Sequence, residues 1–125
     1  MKPRPKVLVV DDEPDYLRIA ARIAAKAGCA VVTAPTALEG VALASAEKPD
    51  MILLDVGLPD ISGFEAARRI RRTPALAGVP IIFFTVRSEV DMVSEGLKLG
   101  AAGYVLKPFD PDELLRRIKA AVFPA

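Results

Sequence analysis

The chain contains four short apolar runs, and their order along the sequence restricts the folds that it can adopt. The runs cover residues 7–10, 51–54, 81–84 and 104–106. Continuous runs of this length, rich in Val, Ile and Phe, are typical of strands buried on both faces of a parallel sheet. Segments with helical spacing of apolar residues separate them. The alternation therefore predicts an α/β fold with a doubly wound sheet.

Helix signals fill the segments between the runs. The first predicted helix begins around Pro14, which suits an early helical position, and ends at Gly28. A shorter strand is predicted over residues 29–33. Thr36 caps the second helix, with Glu39 at the spacing of a capping box. Further helices are predicted over residues 64–72 and 90–99 and from residue 110 onward, so five strands alternate with five helices.

Composition restricts the class of protein. The 125 residues are 52% hydrophobic with a net charge of +1, and no apolar run is long enough for a membrane span or a secretory signal. We therefore expect one cytoplasmic domain over residues 1–125, without an output domain and without direct contact to nucleic acid or membrane. The single cysteine, Cys29, is expected to fill core space. The absence of histidine excludes histidine-based zinc sites and Ser-His or Cys-His catalysis on this chain.

Polar residues follow each of the four apolar runs. Asp11 and Asp12 come after the first run, Asp55 after the second, Thr85 after the third and Lys107 after the fourth. The carboxyl ends of parallel strands meet at one edge of the sheet, where ligands of open α/β sheets bind. A single aspartate at a strand end is usually an ordinary surface residue. Four complementary groups at four strand ends instead predict a shared crevice.

The chemistry of these groups suits phosphate. Two carboxylates about 4 Å apart repel by roughly 4 kcal/mol at an effective dielectric constant of about 20, so clustered aspartates need a cation or a proton. An oxygen-only site suits Mg²⁺, with Mn²⁺ as the alternative. An aspartate can attack phosphorus to form an aspartyl phosphate. Lys107 would pair with the phosphoryl oxygens, and Thr85 would donate a hydrogen bond to one of them.

The chain resembles the receiver domain of two-component response regulators over essentially its whole length. The resemblance rests on residues 9–14, on residues 53–59 with Ser62 and Gly63, on Thr85 and on residues 100–109. It implies the flavodoxin-like (CheY-like) fold, a five-stranded parallel sheet of order 2-1-3-4-5 with five helices on both faces. It also implies a cis Lys107–Pro108 peptide bond.

The resemblance further implies a role for each site residue. Asp55 would be the phosphoacceptor. Mg²⁺ would be held by Asp12, Asp55 and the backbone carbonyl of Gly57, with Asp11 contributing mainly through water. Thr85 and Lys107 would sense the phosphoryl group.

Tyr104 would be the aromatic switch that turns inward as Thr85 moves, with plain core packing as the alternative for this side chain. The partners implied are a sensor histidine kinase or histidine phosphotransfer protein as donor and a downstream protein target. The face formed by the fourth helix, fifth strand and fifth helix is implied as a possible homodimer contact.

Two positions depart from common patterns of this family. Val86 and Arg87 follow Thr85, where Ala or Gly is usual, and Gly57 offers no side chain to position water. We therefore predict slow self-dephosphorylation. Gly57 also stands where aspartyl-phosphate phosphohydrolases place a second Asp, which argues against an enzyme.

The same sequence bears on two further alternatives. A flavodoxin-like FMN carrier would need a Ser-, Thr- or Gly-rich phosphate loop where this chain has Asp11, Asp12, Glu13 and Pro14. A phosphorylation-independent pseudo-receiver remains an alternative. The arginines at 68, 69, 71 and 72 are expected to form a solvated face paired with Glu65, or else a docking patch for an acidic partner.

Overall fold

A computed structural model describes residues 4–86 and 93–123 of the chain. It contains one five-stranded parallel sheet, with strands β1 (Lys6–Val10), β2 (Ala30–Ala34), β3 (Met51–Asp55), β4 (Ile81–Thr85) and β5 (Gly103–Leu106). Their order in the sheet is β2-β1-β3-β4-β5. The predicted fold and strand order are confirmed.

The structure describes five α-helices, of which the first four connect consecutive strands and the fifth follows β5. They are α1 (Pro14–Lys26), α2 (Ala37–Glu47), α3 (Gly63–Arg71), α4 (Val93–Lys98) and α5 (Pro111–Val122), with a short 3-10 helix at Pro74–Leu76 before β4. Thr36 and Ser62 cap α2 and α3 by accepting hydrogen bonds from the amides of Glu39 and Glu65. Among the described residues, no helix has the length and apolar character that a membrane crossing requires.

The second strand begins one residue later than the sequence predicts. The amide of Cys29 donates to the carbonyl of Ala24 at 3.1 Å, and that of Gly28 donates to Ala25 at 3.0 Å. Gly28 has a φ of +96°, so the two amides close the end of α1 in a Schellman motif. Cys29 therefore belongs to the helix cap, and the strand runs on to the buried Ala34. Cys29 itself is buried, as expected.

The fourth helix was predicted over residues 90–99. The structure describes it from Val93 to Lys98, and the predicted start at residues 90–92 lies outside the described residues. Gly96 in this helix faces the ring of Phe83, and a Cβ at Gly96 would clash with that ring. The glycine therefore allows α4 to lie close to β4.

The sheet is covered by an apolar layer on each face. One layer contains Val10, Leu54 and Phe83 from the sheet with Phe64 and Ile70 from α3. The other contains sheet residues such as Phe84 and helix residues such as Ala20, Ile23 and Leu114 from α1 and α5. Strands buried on both faces explain the continuous apolar runs in the sequence.

The basic run of α3 is only partly the solvated face that was expected. Glu65 pairs with Arg68 at 3.3 Å and with Arg69 at 3.1 Å, as predicted. Arg71 instead lies against the protein. Its guanidinium donates to three backbone carbonyls, those of Leu76, Leu99 and Gly100. The prediction was therefore wrong for Arg71, which holds the end of α4 and the 3-10 helix against α3.

Candidate functional site

Four buried polar residues stand at the carboxyl ends of the four strands that the apolar runs form. Asp55 and Thr85 are the last residues of β3 and β4, and Asp11 and Lys107 directly follow β1 and β5. Backbone hydrogen bonds between neighbouring strands continue for one residue beyond the ends of β1 and β5. Asp11 N donates to Ala34 O at 3.1 Å, and Lys107 N donates to Thr85 O at 2.7 Å. The sheet therefore fixes the backbone of each group at one edge.

The Lys107 ammonium lies at the centre of this edge. Its Nζ is 2.8 Å from Asp11 Oδ2, 3.0 Å from Glu13 Oε1 and 3.4 Å from Asp55 Oδ1. The side chain is only 3% exposed. Buried charges are tolerated when they are paired, and one lysine here faces three carboxylates. Among the described residues, the negative charges at this edge of the sheet therefore outnumber the positive ones.

The acids form a cluster that could hold a metal ion. Asp11, Asp12, Glu13 and Asp55 each place one carboxylate oxygen so that all four oxygens lie within 4.8 Å of one another. Asp11 and Asp55 are buried, while Asp12 and Glu13 are exposed. The structure thus brings together the three aspartates that were predicted as ligands.

The details of Asp11 fit a hard cation. Its Oδ1 accepts a hydrogen bond from the Glu13 amide at 2.9 Å. Its Oδ2 is buried and lies 2.8 Å from the Lys107 ammonium. An oxygen-only donor set with excess negative charge suits Mg²⁺ or Mn²⁺. The residues present therefore fit the expected metal.

Burial and mutual repulsion disturb the ionisation of the cluster. Burial, together with the charge of Asp11, raises the pKa of Asp55 to about 7, against the opposing effect of Lys107. Burial also raises the pKa of Asp11. Burial acts to lower the pKa of Lys107, but the contacts with Asp11, Glu13 and Asp55 outweigh it and the pKa is raised. Lys107 therefore stays charged, while Asp55 readily accepts a proton.

The loop after Asp55 folds back tightly onto the end of β3. The Gly57 amide donates to the Asp55 carboxylate, and the Gly63 amide donates to Val56 O at 2.9 Å. A Cβ at Gly63 would overlap the Asp55 carbonyl oxygen, so glycine is required by close backbone approach. The predicted ligand role of the Gly57 carbonyl stays a prediction.

The two predicted switch residues lie on neighbouring strands at different depths. Thr85 is fully buried, and its hydroxyl donates to Val86 O at 3.2 Å. Tyr104 is half-buried and packs against the apolar layer that contains Phe83. Val86 is 40% exposed beside Thr85, and Arg87 lies outside the described residues. The Lys107–Pro108 bond is cis, as the resemblance implies.

Three contributors were missed in the sequence. Glu13 belongs to the acidic cluster and pairs with Lys107, and its position next to two aspartates was the available signal. Tyr16 places its ring 4.5 Å from Lys107 Nζ, and no sequence signal predicts this contact. Asp60 accepts hydrogen bonds from Ala37 N at 3.0 Å and Leu38 N at 2.8 Å, and so joins the loop after Asp55 to the start of α2.

A shallow apolar groove opens beside the acidic cluster. Its volume is about 360 Å³, and it lies between the start of α1 and the segment that follows Lys107, lined by Asp15, Tyr16, Ile19, Pro108, Phe109 and Pro111. Ile19 is 40% exposed there. An exposed apolar surface next to a site is typical of a contact with another macromolecule.

Known proteins are similar to this chain in sequence and in fold. The sequence model described as "Response regulator receiver domain" matches residues 7–119. The phosphate regulon transcriptional regulatory protein PhoB of Pseudomonas aeruginosa is 40% identical over 116 residues, which is 93% of this chain and 51% of that protein. Protein PilH of the same species is 33% identical over 94% of this chain and 97% of its own length.

A solved structure agrees with these relatives. The chemotaxis response regulator CheY4 of Vibrio cholerae superposes with a TM-score of 0.88 at 31% identity, covering 95% of this chain and 99% of that one. The chain spans about half the length of several curated relatives, including PhoB. The match to PilH and CheY4 covers nearly their full lengths. The chain belongs to the response regulator receiver domain family of two-component systems.

Proposed function

We propose that this chain is a phosphorylation-activated switch in which Asp55 accepts a phosphoryl group. The observation that carries the proposal is the placement of the Asp55 carboxylate. It lies buried at a strand end, within the acidic cluster and 3.4 Å from the Lys107 ammonium. A nucleophile, a cation and oxygen ligands in one crevice are the parts that phosphoryl transfer requires.

The donor is a phosphohistidine on a sensor histidine kinase or histidine phosphotransfer protein. A carboxylate oxygen of Asp55 attacks phosphorus, so that a P–O bond forms while the P–N bond to the imidazole breaks. The electron pair of that bond remains on the imidazole nitrogen. Asp55 must be ionised to attack, and Lys107 favours the charged form although burial opposes it.

Asp11, Asp12, Asp55 and the Gly57 carbonyl are the groups that would hold Mg²⁺, or Mn²⁺ in its place. When bound, the ion offsets negative charge on the carboxylates and the phosphoryl oxygens. The four carboxylate oxygens within 4.8 Å and the buried Asp11 Oδ2 support this assignment. Glu13 pairs with Lys107 at 3.0 Å and would keep that pairing when the aspartates hold the ion.

The phosphoryl group then changes the surface through Thr85, Lys107 and Tyr104. It adds about −1.5 to −2 of charge, which attracts the Lys107 ammonium and the Thr85 hydroxyl. Tyr104 packs on the same side of the sheet as Phe83, one strand away from Thr85, and turns inward as Thr85 moves. Coupling of this kind is typically about 1–3 kcal/mol, enough to bias a surface between two states.

The groove at the start of α1 supports a docking side for the donor. It is apolar and shares Tyr16 with the surroundings of Lys107. A helical partner laid there would bring a histidine close to Asp55. The downstream target would read the face formed by α4, β5 and α5, which is also the proposed homodimer contact.

The proposal extends to where the switch acts, what it contacts and how long it stays phosphorylated. We propose a cytoplasmic regulatory domain over residues 1–125, not an enzyme, that contacts proteins rather than nucleic acid or membrane. The exposed Val86 beside Thr85 and the absent side chain at Gly57 support slow loss of the phosphoryl group. A phosphorylated form that decays within seconds would contradict that part.

Phosphate incorporation tests the proposal. The protein is incubated with acetyl phosphate and Mg²⁺, and the mass of the intact chain is measured. We expect one added phosphoryl group in the wild type, and none in Asp55→Asn or in the presence of EDTA. Asp15→Asn, on the exposed surface of α1, is the matched control and should still be modified. Lack of incorporation in the wild type would instead favour a phosphorylation-independent binding module.

A further inference from the structure

The buried ammonium of Lys107 has one neighbour of a different chemical kind from the carboxylates. Its Nζ lies 4.5 Å from the centroid of the Tyr16 ring. This distance is within the range of a cation–π interaction, in which the negative face of the ring attracts the cation. Tyr16 is half-buried in the first turns of α1. The lysine is thus held by three acids and one aromatic face.

The Tyr16 ring differs from the three carboxylates because it is not a ligand for the metal or the phosphoryl group. Asp11 and Asp55 are proposed to bind the metal and the phosphoryl group, so their charge is shared with other ligands. Glu13 has a side chain that is 54% exposed, and solvent weakens its pairing. The Tyr16 ring carries no net charge and does not bind Mg²⁺. It can therefore hold the ammonium whether or not the carboxylates are engaged elsewhere.

The ring is itself fixed by the core. Its centroid is 5.3 Å from that of Phe109 in a tilted arrangement, and Phe109 is 5.1 Å from Phe84. Phe84 is fully buried in β4, next to Thr85. An aromatic chain of three rings therefore connects the sheet to the lysine, and the position of the Tyr16 ring is determined before any ligand arrives.

We propose that Tyr16 is a positioning residue for Lys107, whose ring face keeps the ammonium directed at the place of the phosphoryl group. This inference rests on the proposed function of Lys107 as the cation of the phosphoryl site. It concerns the ring and not the phenol hydroxyl. Tyr16→Phe should therefore retain the positioning of Lys107, whereas substitution by an aliphatic side chain of similar bulk should lose it.

The contact is measured first without phosphate or metal. Protons of the Lys107 side chain that lie over a ring are shifted upfield in NMR spectra. We expect this shift in the wild type and in Tyr16→Phe, and expect it to vanish in Tyr16→Leu and Tyr16→Met. Lys48 serves as the internal control, since its side chain lies away from this site on the surface at the end of α2. Equal Lys107 shifts in the wild type and Tyr16→Leu would overturn the proposal.

The consequence is then measured as the rate of phosphorylation by acetyl phosphate with Mg²⁺. Loss of the ring should slow the reaction about three- to tenfold in Tyr16→Leu and Tyr16→Met, and Tyr16→Phe should match the wild type. In a Lys107→Met background, Tyr16→Leu should have no further effect, because the partner of the ring is gone. Equal slowing in both backgrounds would show that Tyr16 acts by packing alone.

The two measurements also separate this inference from the proposed function. If the wild type shows the ring-induced shift but takes up no phosphate, the proposed function fails while the Tyr16–Lys107 contact stands. If phosphate is incorporated at Asp55 and the rate is the same in Tyr16→Leu, the proposed function stands and the positioning role fails.

Discussion

The interior of the sheet and its carboxyl edge are one residue apart on the same strands, yet burial has opposite consequences in the two regions. Val10 and Leu54 are buried among apolar side chains, while the next residues, Asp11 and Asp55, are buried among charges. Burial of an aliphatic side chain contributes about 1.5–3 kcal/mol to folding. Burial of an unbalanced carboxylate opposes folding.

This contrast shows that the charged carboxyl edge depends on the apolar interior of the sheet. The interior is complete without a ligand, since its apolar side chains contact one another on both faces of the sheet. The edge contains one ammonium facing three carboxylates. The rigid strands hold these charges closer than they would remain in a flexible loop. The stability of the interior therefore supports a site whose charge is balanced only when a cation or a proton is added.

The largest effect on stability is expected in the interior. Phe83→Ala removes a fully buried ring that packs 5.1 Å from Phe64 and against Gly96. We expect a loss of about 3–5 kcal/mol in the free energy of unfolding, measured by urea denaturation. The loss should be the same with EDTA or Mg²⁺ and at pH 5.5 or 8. If the loss of stability in Phe83→Ala depended strongly on Mg²⁺ or on pH, the interior would not be independent of the charged edge.

Removal of the lysine charge should be nearly as costly but dependent on conditions. Lys107→Met keeps most of the side-chain volume and leaves three carboxylates without their cation. We expect a loss of about 3 kcal/mol at pH 8 in EDTA, and a smaller loss at pH 5.5 or with Mg²⁺. Lys26→Met, on the exposed face of α1, should change stability by little. Equal losses for Lys107→Met under all conditions would mean that Lys107 acts through packing.

The stability of the metal-free protein should fall as the pH rises. The pKa of Asp55 is about 7 in the folded state, against 3.8 for an ordinary aspartate. Between these values the folded chain holds a proton that the unfolded chain has lost, so raising the pH favours unfolding. From pH 5.5 to 8 in EDTA we expect a decrease of about 2 kcal/mol, to which the raised pKa of Asp11 adds in the same direction.

Asp55→Asn separates this contribution from other titrations. The variant cannot ionise at position 55, so the dependence on pH should become much weaker and stability at pH 8 should rise above that of the wild type. Asp15→Asn is the matched surface control. Two results would contradict a raised pKa at Asp55. One is a wild type whose free energy of unfolding is constant between pH 5.5 and 8. The other is an Asp55→Asn variant whose free energy of unfolding changes with pH as steeply as that of the wild type.

The smallest effect is expected at the loop that joins edge and helix. Asp60→Ala removes the acceptor for the amides of Ala37 and Leu38. We expect a loss of about 1 kcal/mol, with faster hydrogen exchange at these two amides and little change elsewhere in α2, where Thr36 still caps Glu39. Asp60→Asn, which keeps one acceptor oxygen, should lose less. Unchanged exchange at both amides would exclude this role for Asp60.

Much of the fold could be predicted because the interior follows simple patterns. The apolar runs identify strands, and Pro14, Gly28 and Thr36 indicate where helices begin or end. The strand ends also placed Asp11, Asp55, Thr85 and Lys107 on one edge, since parallel strands share their direction. These features depend on local sequence and on the topology of the sheet.

The rest depends on contacts between distant residues, which a pattern does not contain. Tyr16 meets Lys107, and Arg71 meets Leu99 and Gly100, only after the chain has folded. Asp60 likewise accepts hydrogen bonds from the first amides of α2, which precedes it in the chain by over twenty residues. The start of β2 was predicted one residue early because the cap geometry that includes Cys29 depends on backbone angles.

The central claim, that the edge is completed by a divalent cation, is tested most directly by the free energy of unfolding with and without Mg²⁺ at pH 8. At about ten times its dissociation constant, Mg²⁺ should stabilise the wild type by roughly 1.4 kcal/mol. The gain should persist in Phe83→Leu and be lost in Asp11→Asn and Asp12→Asn. No gain in the wild type, or an equal gain in the two aspartate variants, would contradict the account.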